Sequence, residues 1–90
     1  MNRHFSIRVS GRVQGVGFRY AVKSRARELN LKGWVENQLD GSVLVEIQGE
    51  EGKCTEFINW CRRGPGYSWV EEIEIREKEP GELNRFHIRH

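Results

Sequence analysis

The sequence predicts an α+β fold in which two helices cover one face of a four-stranded antiparallel sheet. Several short segments alternate apolar with polar residues, which is typical of half-buried strands. Two segments between them repeat apolar residues at helical spacing, and an Asp-Gly dipeptide between two strand segments indicates a hairpin. At 90 residues, of which 37% are hydrophobic, the chain can bury one core but not two. We therefore expect residues 1–90 to form a single domain.

The first half of the chain predicts a strand, a helix and a hairpin. Phe5, Ile7 and Val9 alternate with polar residues and form a strand that ends at Gly11. The first helix carries an apolar stripe at Phe18, Val22, Ala26 and Leu29. The segment 33–49 contains two β-rich runs that turn at Asp40-Gly41. The second and third strands are therefore antiparallel neighbours.

The second half predicts another helix and a strand with an irregular start. The second helix has its apolar face at Cys54, Phe57, Ile58 and Cys61 and ends at Gly64-Pro65-Gly66. In the fourth strand Ile73 and Ile75 are in phase but Val70 is not, which predicts a bulge near Val70–Glu72. Phe86 and Ile88 also alternate, and predict a short fifth strand at the edge of the sheet.

The order β-α-β-β-α-β is that of the ferredoxin-like sandwich. Right-handed crossovers place the first and third strands in the middle, which gives the sheet order 4-1-3-2. Electron carriers, RNA binders, metal chaperones and enzymes all use this architecture. The function must therefore be argued from particular residues.

The composition argues against several of these classes. Cys54 and Cys61 are seven residues apart on the second helix, about 10 Å, which is too far for a disulfide, so we expect reduced thiols in a cytoplasmic protein. The histidines, His4, His87 and His90, are scattered, and no metal or iron–sulfur site is predicted. The third strand lacks the aromatic residues that stack RNA bases. No segment is apolar enough for a membrane span or an export signal.

Charge is unevenly distributed, although the net charge is only +2. Residues 1–32 hold eight of the fifteen Lys and Arg residues and a single acid, Glu28. The small net charge disfavours nucleic acid as a partner, whereas the basic first third would attract a small anion. The acidic run between 71 and 82 has an ordinary explanation as a solvated strand face and turn.

The segment SGRVQGVGFRY, residues 10–20, is the strongest candidate for an anion site. Gly11, Gly15 and Gly17 lie between a strand and a helix N-terminus, where backbone N–H groups can form an anion-binding nest. Arg19 can bind phosphate oxygens through both arms of its guanidinium group. The spacing matches neither the dinucleotide-binding nor the P-loop motif. Such glycines also occur in simple turns, and Arg12 is equally explained as a solvated loop charge.

Two motifs resemble those of one known family. GRVQGVGFRY, then GWVENQLDGSV, then GP after the second helix, resemble the acylphosphatase family with its GxVQGVGFR loop and GxVxNxxDG hairpin. The resemblance extends through the FHIR tail, so it covers essentially the whole chain. Trp69 and Val70 depart from the small residues of that family at this place.

The resemblance implies an enzyme that cleaves the carboxyl-phosphate bond of a small acyl phosphate. By resemblance, Arg19 is the catalytic phosphate-binding residue and Asn37 positions the attacking water. The implied phosphate cradle consists of the loop amides of Gly15, Val16, Gly17, Phe18 and Arg19. Inorganic phosphate is then the product and an inhibitor. We expect a cytoplasmic monomer with no cofactor, no metal, no nucleic-acid partner and no membrane association.

Hydrolysis of an acyl phosphate is compatible with a site that contains only the loop amides, Arg19 and Asn37. A carboxylate leaves without help from a protein acid because its conjugate acid, by analogy with Asp and Glu, has a pKa of about 4 to 5. We hypothesise that the phosphate itself accepts the proton of the water, since strand alternation points Glu36 to the face opposite Asn37. Asn37 on its own would also suit the position before a turn.

Two other interpretations stay open. A non-catalytic module that binds phosphate or acyl phosphate could keep the same loop without turnover. The chain could also be a fragment of a larger carbamoyl-transferring maturation enzyme, since some of these begin with an acylphosphatase-like domain. The zinc-ligand motifs expected downstream are missing from this sequence. A self-contained enzyme is the simpler hypothesis.

Overall fold

A computed structural model describes residues 2–90, which form five strands and two helices in the predicted order. The elements are β1 (Asn2–Arg12), α1 (Phe18–Glu28), β2 (Lys32–Asn37), β3 (Val43–Glu50), α2 (Glu51–Arg63), β4 (Trp69–Lys78) and β5 (Phe86–Arg89). No helix in this part of the chain is long and apolar enough to cross a membrane.

The sheet has the order β4-β1-β3-β2-β5, so the predicted arrangement 4-1-3-2 is confirmed. Neighbouring strands are antiparallel except β2 and β5, which are parallel. The predicted edge strand therefore exists and makes the sheet mixed.

The connection from β4 to β5 crosses the sheet on the face opposite the helices. The carbonyl oxygen of Glu79 lies 3.0 Å from His4 Nδ1 on β1. Gln48 on β3 exchanges two hydrogen bonds with the backbone of Gly81, at 2.8 and 2.9 Å. Because the connection crosses at the sheet end where β4 finishes, β5 runs opposite to β4 and therefore in the same direction as β2.

The core lies between the helices and the other face of the sheet. The helices bury Phe18, Val22 and Ala26 from α1, and Cys54, Phe57 and Cys61 from α2. Both cysteines are free, as expected from their spacing. Burial raises the pKa of the Cys54 thiol to about 11 and that of Cys61 to about 12. The thiols are therefore protonated and unreactive at neutral pH.

The pairing between β1 and β4 contains a bulge beside the glycine loop, at the predicted place. The register of the two strands shifts between Ser10 and Gly11, so that Ser10 is opposite Glu72. Gly11 is opposite Val70, two residues back, which leaves one β4 residue unpaired. Gly11 has φ +129°, and a Cβ there would lie 2.2 Å from the carbonyl oxygen of Trp69. Glycine thus allows the start of β4 to approach the end of β1.

A second glycine, Gly33, allows β2 and β3 to approach closely, and its substitution tests the fold. Gly33 has φ +144°, and a Cβ there would lie 1.9 Å from the carbonyl oxygen of Glu46 on β3. We expect Gly33→Ala to lower the free energy of unfolding by about 2 kcal/mol or more, measured by urea denaturation.

Gly81→Ala is the matched control for this substitution. A Cβ at Gly81 meets nothing within 4 Å and its φ is not positive. We expect a change below about 0.5 kcal/mol. Equal urea midpoints for the two variants would contradict the observed register between β2 and β3.

Candidate active site

The glycine loop between β1 and α1 has the backbone conformation of an anion nest. Gly15 and Gly17 have φ values of +74° and +79°, whereas Val16 between them has a negative φ. A Cβ on either glycine would meet nothing within 4 Å, so the backbone conformation, rather than lack of space, requires glycine. Alternation of left-handed and ordinary residues turns successive N–H groups toward a common point.

The N-terminus of α1 continues this cluster of donors. Gly17 caps the helix without a side-chain hydrogen bond, and the first turn contains no acidic residue. The first N–H groups of the helix thus have no side-chain partner, and they lie at the positive end of the helix dipole. The side chain of Phe18 is buried in the core, so this residue can contribute only its backbone. This end of the helix favours an anion.

Arg19 lies in the first turn of α1, where a cation is least favoured by the helix dipole. Its Nη1 lies 3.4 Å from Nδ1 of His90. His90 follows β5, and β5 is the neighbour of β2 in the sheet. The side chain of Arg19 is thereby directed toward the end of β2.

Asn37 is the last residue of β2 and lies at the same end of the sheet as the glycine loop. Val43 at the start of β3 is paired with Asn37 on one side and with Val9 of β1 on the other. Asn37 is therefore two strand spacings, about 10 Å, from the strand that leads into the loop. Its Oδ1 is buried and has no hydrogen-bond partner within residues 2–90. A buried acceptor without a partner is costly, by about 1–3 kcal/mol, and calls for an explanation.

Gln14 joins the loop to the hairpin that carries Asn37. Its Nε2 donates hydrogen bonds to the carbonyl oxygens of Gln38, at 2.8 Å, and Ser42, at 2.9 Å. Both hydrogens of one amide group are therefore used to hold the hairpin against the loop. The sequence interpretation did not single out this residue, although its place beside Gly15 in the loop motif was a signal.

The hairpin turn is itself held by side chains. Asp40 Oδ1 accepts hydrogen bonds from the Ser42 hydroxyl, at 2.6 Å, and from the Ser42 N–H, at 2.9 Å. These bonds lower the pKa of Asp40, so its carboxyl group stays ionised. Arg8 on β1 donates to the Ser42 hydroxyl at 2.8 Å. Together with the hydrogen bonds of Gln14 to Gln38 and Ser42, these contacts maintain the position of the hairpin relative to β1.

The predicted site residues converge, and His90 joins them. Residues 15–19 form one continuous loop and helix end, and Asn37 lies across β3 from it. The contact between Arg19 and His90 could not be read from the sequence because the two residues are 71 positions apart. No group of three or more His, Cys, Asp or Glu residues between positions 2 and 90 could hold a metal ion.

Comparison with known proteins agrees with the two motifs. The model of the acylphosphatase family matches residues 5–88. This chain belongs to the acylphosphatase family. The acylphosphatase of Oceanobacillus iheyensis is 42% identical over 90 aligned residues, which cover 98% of this chain and 99% of that one. The resemblance found in the sequence is thereby confirmed.

Solved acylphosphatase structures have the same fold. The crystal structure of the acylphosphatase from Bacillus subtilis superposes with a TM-score of 0.94, at 38% identity, and each chain is covered completely. Full-length HypF, in a phosphate- and nucleotide-bound form, also reaches a TM-score of 0.94, at 36% identity. In that case all of this chain is covered but only 12% of HypF. The fold thus occurs both as a small acylphosphatase and as part of a much larger protein.

Loss of the Gln14 amide tests whether it holds the loop against the hairpin. Gln14→Ala removes both hydrogen bonds, and we expect faster amide hydrogen exchange in residues 15–19 and 38–42. The free energy of unfolding should fall by about 1–2 kcal/mol, measured by urea denaturation.

Gln48→Ala is the matched control because its amide also binds backbone, at Gly81. It should accelerate exchange only around residues 79–83. Unchanged exchange of residues 15–19 in Gln14→Ala would show that the loop is held by other contacts.

Proposed function

We propose that this protein hydrolyses acyl phosphates to a carboxylate and inorganic phosphate. The amides of residues 15–19 and the guanidinium of Arg19 bind the phosphoryl group, and Asn37 positions the attacking water. The observation that carries the proposal is the buried, unpartnered Oδ1 of Asn37 at the same sheet end as a helix N-terminus that has no side-chain cap and bears Arg19. Membership of the acylphosphatase family supports it.

The loop supplies the electrostatic part of the reaction. Phosphoryl transfer to water passes through a loose transition state whose charge lies on the three equatorial oxygens. Fixed N–H groups and one guanidinium complement that charge without rearranging during the reaction. This chemistry needs neither a histidine nor a thiol as a reacting group, and we propose that the enzyme uses neither a metal nor a cofactor.

Asn37 orients the attacking water. Its Oδ1 accepts a hydrogen bond from the attacking water, and the neutral carboxamide adds no charge that would repel the substrate. The nearby acids are already engaged: Asp40 binds Ser42, and Glu36 Oε1 lies 3.2 Å from Gln38 Nε2. We therefore infer that the proton of the water passes to the phosphate itself.

For the protein as a whole, we propose that residues 1–90 act as one domain, as a monomer, in the cytoplasm. The match of the family model to residues 5–88 supports the single domain. Inorganic phosphate, as the product, occupies the same loop and inhibits.

A second candidate is a module that binds phosphate or an acyl phosphate without turnover. The same fold forms 12% of HypF, where it is one part of a larger protein, so the fold by itself does not establish turnover. Turnover by the isolated chain separates the two candidates.

The first test compares benzoyl phosphate with phenyl phosphate, which lacks only the carbonyl group. We expect the wild type to release phosphate from benzoyl phosphate alone, because phenolate is a much poorer leaving group than carboxylate. Asn37→Ala should lower kcat by about 100-fold or more, while inorganic phosphate still raises its Tm.

Asn59→Ala, on the exposed side of α2, is the matched control and should keep wild-type turnover. If Asn37→Ala loses the protection by phosphate, Asn37 is a phosphate ligand or a structural residue. A wild type that binds phosphate but releases none from benzoyl phosphate belongs to the non-catalytic class.

Arg19→Ala removes the charged ligand of the phosphoryl group. We expect kcat/KM for benzoyl phosphate to fall by about 1,000-fold or more, and inhibition by inorganic phosphate to weaken in parallel. The control is Arg76→Ala, which removes an exposed arginine from β4. Wild-type turnover by Arg19→Ala would refute the assigned role.

A further inference from the structure

An open groove of about 630 Å³ lies beside the glycine loop. Its lining consists of Arg12, Gly15, Val16, Gly17 and Tyr67. The groove shares both left-handed glycines with the proposed phosphate site. Its volume is within the range of small-molecule sites.

The groove and the Asn37 hairpin flank the loop on opposite sides. In the sheet, β1 lies between β3, which carries the hairpin, and β4. Tyr67 belongs to the connection that leads into β4, and Trp69 at the start of β4 is opposite Arg12. Arg12 and Tyr67 are therefore on the β4 side of the loop, away from Asn37.

Hydrogen bonds within the segment that carries Tyr67, and its close approach to β1, fix the position of this segment. Ser68 donates two hydrogen bonds to the carbonyl oxygen of Pro65, from its N–H at 3.1 Å and from its hydroxyl at 2.6 Å. This turn presents Tyr67, a residue that is 89% exposed. The close approach of Gly11 to Trp69 holds the following residues against β1.

The in-line geometry of phosphoryl transfer indicates which part of the substrate lies toward the groove. In phosphoryl transfer the attacking and leaving oxygens lie on opposite sides of the phosphorus. With the water held on the hairpin side by Asn37, the leaving carboxylate and its acyl group point toward the β4 side. In that geometry the acyl group would extend into the groove lined by Arg12 and Tyr67.

The groove is positively charged. Arg12 is exposed and makes no ion pair within the described part of the chain, and no acidic residue lines the groove. A guanidinium group matches the geometry of a carboxylate, and the Tyr67 hydroxyl is a further donor. An acyl group with a carboxylate at its far end complements these two side chains.

We propose that Arg12 and Tyr67 form an acyl subsite that favours acyl phosphates bearing a second carboxylate. The proposal rests on the hydrolysis of acyl phosphates proposed above. It assigns substrate preference to two side chains to which the proposed hydrolysis gives no role.

Succinyl phosphate and butyryl phosphate test the subsite because they have the same chain length and differ in the terminal carboxylate. We expect the wild type to have a higher kcat/KM for succinyl phosphate. Arg12→Gln should lower that value about fivefold and change the value for butyryl phosphate less than twofold. Tyr67→Phe should lower the succinyl-to-butyryl ratio about twofold, and 0.5 M NaCl should lower it in the wild type.

Arg76→Gln is the matched control, since it removes the same charge from an exposed position on β4 and should leave the ratio unchanged. Thermal melts confirm that each variant is folded. A wild-type ratio of one, or an equal loss on both substrates in Arg12→Gln, would overturn the subsite while leaving the proposed hydrolysis intact. A wild type that hydrolyses neither substrate would instead refute the hydrolysis and, with it, the subsite.

Discussion

The pairing of β3 with both β1 and β2 is the constraint on which the rest of the site depends. Through Val43, it brings the end of β1 and the end of β2 to the same edge of the sheet. The glycine loop and Asn37, which are about twenty residues apart in the chain, thereby become neighbours. The Gln14 amide then fastens the loop to the hairpin with two hydrogen bonds.

Two local features at this edge are unfavourable for folding. Arg19 lies at the end of α1 where the helix dipole repels a cation, and Asn37 buries an acceptor without a partner. Violations of local rules are expected where a protein binds or reacts. An anion in the loop and a water at Asn37 would relieve both, which is why the proposed reaction accounts for them together.

The two sides of the glycine loop have different surroundings, so the candidate site has one closely packed side and one open side. The hairpin side is tightly hydrogen-bonded and carries Asn37. The opposite side is an open groove beside the turn that presents Tyr67. In the proposed reaction, such an arrangement would hold the phosphate and the water rigidly while the acyl group varies, so substrate preference could change without disturbing the reacting atoms.

Local patterns in the sequence were sufficient for the elements and the loop. Alternation, helical spacing and the β-rich runs around Asp40-Gly41 predicted both helices and all five strands, and the phase of Val70 against Ile73 and Ile75 predicted the bulge. These features are encoded locally, because each residue's neighbours in sequence determine which face it occupies. The motifs likewise led to the family, and to Arg19 and Asn37 as candidate residues.

Other features depended on the tertiary structure. The parallel pairing of β5 follows from the path of the β4–β5 connection across the sheet, which no local pattern specifies. The hydrogen bonds of Gln14, the contact of Arg19 with His90 and the groove between Arg12 and Tyr67 all join segments that are distant in the chain. Sequence alone therefore determined which residues are candidates for the chemistry, whereas their partners were decided by strand pairing, which brings chain ends and turns to one edge of the sheet.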